Sequence, residues 1–448
     1  MDSIGSFRPH GIGRVQKASM IGFVGLSHLG IVSSIAAASK TKEGVVAFDP
    51  DAVLCEKLEG GECPVYEPGL SELLKSFREQ IKFTSDMANL KKCSLIILSP
   101  DTPTDSENRA DLSTLHRLFE GLVNLLSNCA ALVVLSQVPP GLTRALSEKT
   151  KRTAGFHPPH IYHQVETLVF GNAVERALKP ERFIVGCADP AAALSPVYEA
   201  YLKEFGCPIF KMKYESAELA KMAINVCLAA SLSAANSLAE ICEHLDADWR
   251  EIEPALRTDR RIGPHAYLSA GLGIAGGNIE RDLVAVRELA RTLGADSGVT
   301  EAFLANSRHR KNWALKTIHE LVDLSDPGVT IALWGLAYKA DTKSTKNSPA
   351  LGLLENLSRF SVRVYDPQAL LDKKVFPNAV QAESVLDACR GADALVIMTP
   401  WKEFSSVPLA RLKEALKPSS VVVDPFGVLD RKECAKLGLR YFRLGSKA

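Results

Sequence analysis

The chain has 448 residues, 46% of them hydrophobic, and 53 Lys and Arg balance 52 Asp and Glu. That length exceeds one core and points to two or three domains, while the even charge leaves no basic stripe for a phosphate backbone. No apolar run is expected to reach a bilayer-spanning length. The segment before Met20 lacks an apolar stretch and reads as a loose tail, 1–18, rather than a secretory signal. Ten cysteines, none in a Cys-x-x-Cys pair, make a zinc or disulfide framework unexpected and suit a reducing compartment, the cytoplasm.

In chain order, β-rich runs at 19–25, 43–51, 93–100, 130–141 and 181–187 alternate with amphipathic stretches such as 69–78 and 111–127. That rhythm predicts a doubly wound parallel sheet over 19–212. From 214 some thirty residues run without Gly or Pro at a helical apolar period, which predicts one long helix. A second helical run is expected over 283–324. Long mid-chain helices of this kind cross between domains or form dimer interfaces, so 213–325 is expected to be a helical dimerisation region. Near 328 the strand alternation resumes, and 326–448 reads as a second α/β domain. The fold class expected is α/β, with two Rossmann-like doubly wound domains joined by a helical dimerisation region.

Two motifs carry chemistry. Gly25-Leu-Ser-His-Leu-Gly30 follows the first strand and opens a helix, in the form G-x-S-x-x-G. Gly25 makes the tight turn, Gly30 lets helix and strand pack closely, and a pyrophosphate would sit over Ser27, His28 and Leu29 at the helix start. Ser27 replaces the glycine that lets backbone approach phosphate, although its hydroxyl can donate. Asp49 ends the second strand nineteen residues after Gly30, where a carboxylate accepts ribose hydroxyls and repels a 2′-phosphate, so NAD is expected. The second motif, "GLGIAGGNIERD" over 271–282, is a glycine-rich backbone cradle with Asn278 at its centre.

The segments "YEPGLSELL", "DTPT…ADLS", "VPPG", "PERFIVG", "AELAKMAINVCLA", "DRRIG", "GLAYKADTKSTKNSPAL", "VYDP" and "TPW" occur in this order between residues 66 and 401. Together they resemble the UDP-glucose/GDP-mannose dehydrogenase family over about 19–445. The resemblance implies NAD as cofactor, a nucleotide sugar as substrate with UDP favoured over GDP, a homodimer, and no nucleic-acid or membrane partner. Family members oxidise a sugar C6 alcohol to a carboxylate, and a cysteine captures the intermediate aldehyde.

Carried over by position, Lys221 and Asn225 match the pair that stabilises a developing alkoxide. Asp282 matches the aspartate that positions water and protons, and Glu166 a glutamate of thioester hydrolysis. Pro103, Thr104 and Lys346 fall at cofactor positions. Arg261, which reaches substrate across the dimer in the family, joins Tyr267, Gly271, Gly273, Gly276 and Lys339 at substrate positions. Asn278 takes the place of the nucleophilic cysteine, Glu280 that of a proline and Arg281 that of a lysine. Gln137, Val165, Phe170, Ser231, Lys346-Asn347 and Phe426 also depart from the family pattern. An amide offers no nucleophile, so two readings stay open: a two-electron or water-assisted dehydrogenase, and a catalytically silent NAD and nucleotide-sugar binder acting as sensor or partner subunit.

Overall fold

The structure, a computed structural model, describes residues 20–105, 109–126, 129–153, 159–326 and 328–447; the expected tail, 1–18, lies outside the described residues. The chain divides into two compact units, one comprising 1–102 and 112–218 and the other 103–111 and 219–448.

The first unit holds eight strands: β1 (Met20–Val24), β2 (Val45–Phe48), β3 (Ile81–Thr84), β4 (Cys93–Leu98), β5 (Ala131–Val134), β6 (His160–Gln164), β7 (Phe183–Cys187) and β8 (Ile209–Lys213). Their order is β3-β2-β1-β4-β5-β6-β7-β8. Strands β1 and β2 are buried over nearly their whole length, as expected where helices cover both faces of a sheet. The first helix, α1 (His28–Lys40), is an Ala- and Ile-rich run with nine buried residues. The connection reverses between β1 and β4, which creates a crevice at their carboxyl ends. The expected all-parallel sheet needs a correction, because β7 pairs antiparallel with β6. Between them the only helix is the six-residue Ala173–Leu178, too short to carry the chain back along the sheet for a parallel return.

The second unit carries a six-stranded sheet: β9 (Thr330–Trp334), β10 (Ser361–Tyr365), β11 (Ala379–Gln381), β12 (Ala394–Ile397), β13 (Val421–Val423) and β14 (Arg440–Phe442). The order β11-β10-β9-β12-β13-β14 repeats the doubly wound order of the first unit, with its reversal between β9 and β12, and every pairing is parallel.

The long helix is present as α8 (Tyr214–His244), and the unit division falls within it after Glu218. By length and composition α8 could cross a membrane, which corrects the expectation that no stretch would. Its Ala, Leu and Met are interleaved with Ser and Asn, and averaging hides those polar positions. Within the second unit α8 buries Asn225, Ser233 and Asn236 and gives Ala235, Ala239 and Cys242 to the core beneath β9. That shared core joins the expected middle and last parts into one compact unit. The expected run over 283–324 is three helices, α10 (Asn278–Leu293), α11 (Gly298–Lys311) and α12 (Trp313–Leu321). The first break falls at Gly294, whose φ of 68° closes the helix in the left-handed region.

Candidate functional site

In the first unit the G-x-S-x-x-G turn is built as its sequence requires. Gly25 has φ 93°, and a Cβ there would lie 2.8 Å from the backbone nitrogen of Pro100. A Cβ on Gly30 would lie 1.8 Å from the Gly25 carbonyl, so a side chain at this position would force the turn open. Asp49 accepts from Leu26 N–H at 2.7 Å and so holds the turn at the end of β2. This cradle, which a side chain would fill, and the acid beside it fit a dinucleotide.

Ser27 caps α1 by position, but its side chain makes no capping bond. Its hydroxyl accepts Asp101 N–H at 2.7 Å and donates to the Ser99 carbonyl at 3.4 Å, so it is committed to the loop after β4 rather than left free for phosphate. His28 Nε2 lies 2.8 Å from Glu67 Oε1, and its ring meets that of Phe170 at 4.3 Å. Burial pushes the Glu67 carboxyl up, but His28 and the N–H groups of Gly171 and Ala173 outweigh it and leave the carboxyl below its usual range. Leu29 is 5% exposed and belongs to the core, so only its backbone can face a cofactor. Glu166, on the loop after β6, accepts from Leu168 N–H.

In the second unit Asn225 and Asp282 are brought together. Asn225 Nδ2 donates to Asp282 Oδ2 at 2.5 Å, and Arg281 Nε donates to Oδ1 at 3.2 Å. Asp282 is 1% exposed, and burial raises its carboxyl above the usual range against the opposing pull of Arg281, Asn225 and Lys221. Asn278 is the first residue of α10, one turn before Asp282, and it is exposed on the same helical face. Glu280 pairs with Lys311 at 3.0 Å.

The glycine cradle leads into this helix. Gly273 has φ 75° and would place a Cβ 2.5 Å from the Ser307 carbonyl; Gly276 has φ 80° and would place one 2.7 Å from the Tyr338 ring. Gly271 N–H is held by Asn236 at 2.8 Å. Gly276 donates to the Lys346 carbonyl at 3.1 Å and accepts from Asn347 at 3.0 Å, which packs the cradle against the loop after β9. That loop begins at Gly335, with φ 96°, and Asp366 accepts the N–H groups of Leu336 and Ala337 at 2.7 and 2.9 Å. The second sheet therefore repeats the glycine turn and strand-end carboxylate of the first. Sequence reading passed over this repeat, although Gly335 and Asp366 follow apolar strands just as Gly25 and Asp49 do.

The remaining expected residues are dispersed. Lys339 Nζ sits 5.8 Å over the Tyr338 ring. Lys346 Nζ donates to the Asp105 carbonyl at 3.3 Å. Pro103 accepts from Asp111 N–H at 2.8 Å, and Thr104 bridges to Ala110. Arg261 is solvent-exposed and folded onto Asp259 at 2.7 Å, and Tyr267 is exposed on the same connection between α9 (Trp249–Thr258) and α10. Reading from sequence did not assign Glu67 or Asp101 a role. Each lay inside a quoted motif, but only folding shows that Glu67 accepts from Gly171 and Ala173 N–H and that Asp101 N–H donates to Ser27.

Three family models match: the UDP-glucose/GDP-mannose dehydrogenase NAD binding domain over 19–204, the central domain over 215–308 and the UDP binding domain over 332–431. The chain is 30% identical to a UDP-glucose 6-dehydrogenase of Pseudomonas aeruginosa over 441 residues, covering 94% of this chain and 96% of that one. It is 28% identical to UDP-glucose 6-dehydrogenase TuaD of Bacillus subtilis, covering 96% and 93%. Among solved structures, a UDP-glucose dehydrogenase of Pyrobaculum islandicum superposes with a TM-score of 0.81 at 24% identity, covering 99% and 100%. A UDP-D-ManNAc dehydrogenase of Pyrococcus horikoshii gives 0.83 at 23% identity, covering 95% and 99%. At these identities the two structures establish the fold.

Proposed function

Since the chain belongs to the UDP-glucose/GDP-mannose dehydrogenase family, we propose that it is an NAD-dependent dehydrogenase of a nucleotide sugar. The carbon oxidised is the sugar's C6 alcohol, and the nucleotide is UDP in preference to GDP. The observation that carries this reading is the buried Asn225–Asp282 contact at 2.5 Å, with Lys221 contributing charge to it.

NAD bound on the Gly25–Gly30 turn supplies the hydride acceptor. The Lys221 ammonium and the Asn225 amide stabilise negative charge on the alcohol oxygen as its proton leaves. Asp282, whose carboxyl burial raises above its usual range, takes part in passing that proton to solvent. Asn278 can hydrogen-bond the carbonyl product but cannot capture it covalently. The reaction therefore stops after two electrons unless water hydrates the aldehyde, a task to which Glu166 is suited as a carboxylate base.

The loss of the nucleophile at Asn278 favours the second reading, a silent binder. The departures at Gln137, Phe170, Ser231 and Lys346 accord with it. Stoichiometry separates the two when the protein is incubated with NAD and a panel of UDP- and GDP-sugars. One NADH per sugar and a product lighter by two hydrogens supports the two-electron enzyme. Two NADH and a carboxylate assigns capture of the aldehyde to water, with a second NAD accepting the hydride of the resulting hydrate. Binding of NAD and sugar nucleotide without any NADH overturns the enzyme reading.

A homodimer in the cytoplasm completes the proposal. Leu219, Leu238 and Ile241 on α8 and the adjoining Leu245 are exposed apolar side chains suited to a second copy of the chain, and all ten cysteines are free thiols.

A further inference from the structure

We propose that Arg257 is a positioning residue of the substrate site, clamping the segment after α9 so that Tyr267 is held ready for the nucleotide sugar. The proposal rests on the nucleotide-sugar reading above, and all its residues belong to the second unit. Arg257 lies in the last turn of α9, one turn after Glu253. Its Nε and Nη2 donate to Glu253 Oε1 at 3.0 and 2.6 Å, which fixes the plane of the guanidinium. Nη1 then reaches the chain beyond the helix and donates to the Pro264 carbonyl at 2.8 Å and the Ala266 carbonyl at 3.0 Å.

The same segment is gripped at two further points. Ser269 Oγ donates to Glu253 Oε1 at 3.0 Å and accepts from Arg257 Nη2 at 3.4 Å. Trp249 Nε1 donates to the Leu268 carbonyl at 2.8 Å, and Trp249 is itself anchored in the core, 3% exposed. Tyr267 therefore stands between two carbonyls, those of Ala266 and Leu268, that are both held by side chains of α9. Its own side chain stays 44% exposed. Residues 264–271 belong to no helix or strand, so no backbone ladder does this work.

A segment that must order when ligand arrives subtracts that cost from affinity, and one already ordered does not. Arginine suits the task because its planar fork meets a carboxylate and two carbonyls at once. A lysine ammonium, a point charge on a flexible stem, does not reproduce that geometry. Arg257 spends its donors on the protein, so its effect on ligand passes through Tyr267.

The test is calorimetric titration of the full-length protein with UDP-glucose, for the second unit, and NAD, for the first. Arg257→Met and Arg257→Lys are each expected to weaken UDP-glucose binding about tenfold and to leave NAD binding unchanged. Trp249→Phe, which loses only the donor to Leu268, should weaken UDP-glucose in the same direction. Tyr267→Ala should also weaken it, and adding Arg257→Met to that variant should cost less than about twofold more, because both changes remove one contact. Should Arg257→Met fail to fold, Trp249→Phe takes its place in this cycle with Tyr267→Ala. Native affinity for UDP-glucose in folded Arg257→Met overturns the proposal, as does full rescue by Arg257→Lys. A further tenfold loss on top of Tyr267→Ala overturns it too, since Arg257 would then act apart from Tyr267. Equal weakening of NAD marks a general loss of structure and overturns it as well. A native chain that binds NAD but no UDP-glucose removes the substrate reading, and this proposal with it.

Discussion

At the residue scale, the two ends of the glycine turn do different work, and substitution shows which. Gly30 faces the Gly25 carbonyl so closely that even one methyl must displace backbone, whereas Gly352 on a helix has nothing within 4 Å of its Cβ position and no positive φ. Gly30→Ala is therefore expected to weaken NAD binding by at least tenfold, since the turn that aims the amides must open. Gly352→Ala should leave binding unchanged and stabilise the protein by up to about 1 kcal/mol. Calorimetric titration beside thermal unfolding of both variants checks the contrast. Asn278 opens α10, and on the proposed reading it stands where the family carries its nucleophile. Asn278→Cys should restore capture of an aldehyde, seen as a covalent adduct or as added carboxylate product by mass spectrometry.

At the scale of elements, the parallel sheets appear in sequence as near-continuous apolar runs, and β1, β2, β4, β5 and β7 were legible for that reason. Strands β3, β6 and β8 were not. In β3 buried Ile81 and Phe83 flank exposed Lys82, and β6 carries two histidines among its five residues. His163 in β6 is 2% exposed, and burial depresses its pKa from 6.5 to about 4. The unfolded chain protonates this histidine near its ordinary value and the native sheet does not. Its contribution to stability is therefore present above pH 6.5 and lost as pH falls toward 4. The loss amounts to roughly 3 kcal/mol at the acid end. Denaturant unfolding across that range is expected to show this decline, and His163→Phe should flatten it, with the native-to-variant difference read at each pH.

At the scale of the whole molecule, two units each bear a doubly wound sheet with a glycine turn and a strand-end carboxylate. Each should be stabilised by its own ligand. Scanning calorimetry is expected to show NAD and UDP acting additively, each contributing about 2.7 kcal/mol at a hundred times its Kd. A ligand that leaves the unfolding profile unmoved at that excess would remove its site from the proposal. The exposed apolar side chains of α8 carry the expectation of a second copy. Light scattering should give twice the chain mass, and Leu238→Glu with Ile241→Glu should halve it.

Residues close together in sequence determined much of this protein. Strand–glycine–helix order placed the dinucleotide turn, an uninterrupted apolar helical period gave α8 its ends, and motif order identified the family. These signals are local, because turns and periodic faces are set by neighbours in the chain. Tertiary structure alone decided what each polar group faces. It buried Asp282 against Asn225, fifty-seven positions away, and turned β7 antiparallel. It also laid Asp101 across the turn at Ser27, seventy-four residues distant. The ionisation of a carboxylate depends on its burial and on the charges and N–H groups around it, and folding assembles that environment from segments with no common local pattern.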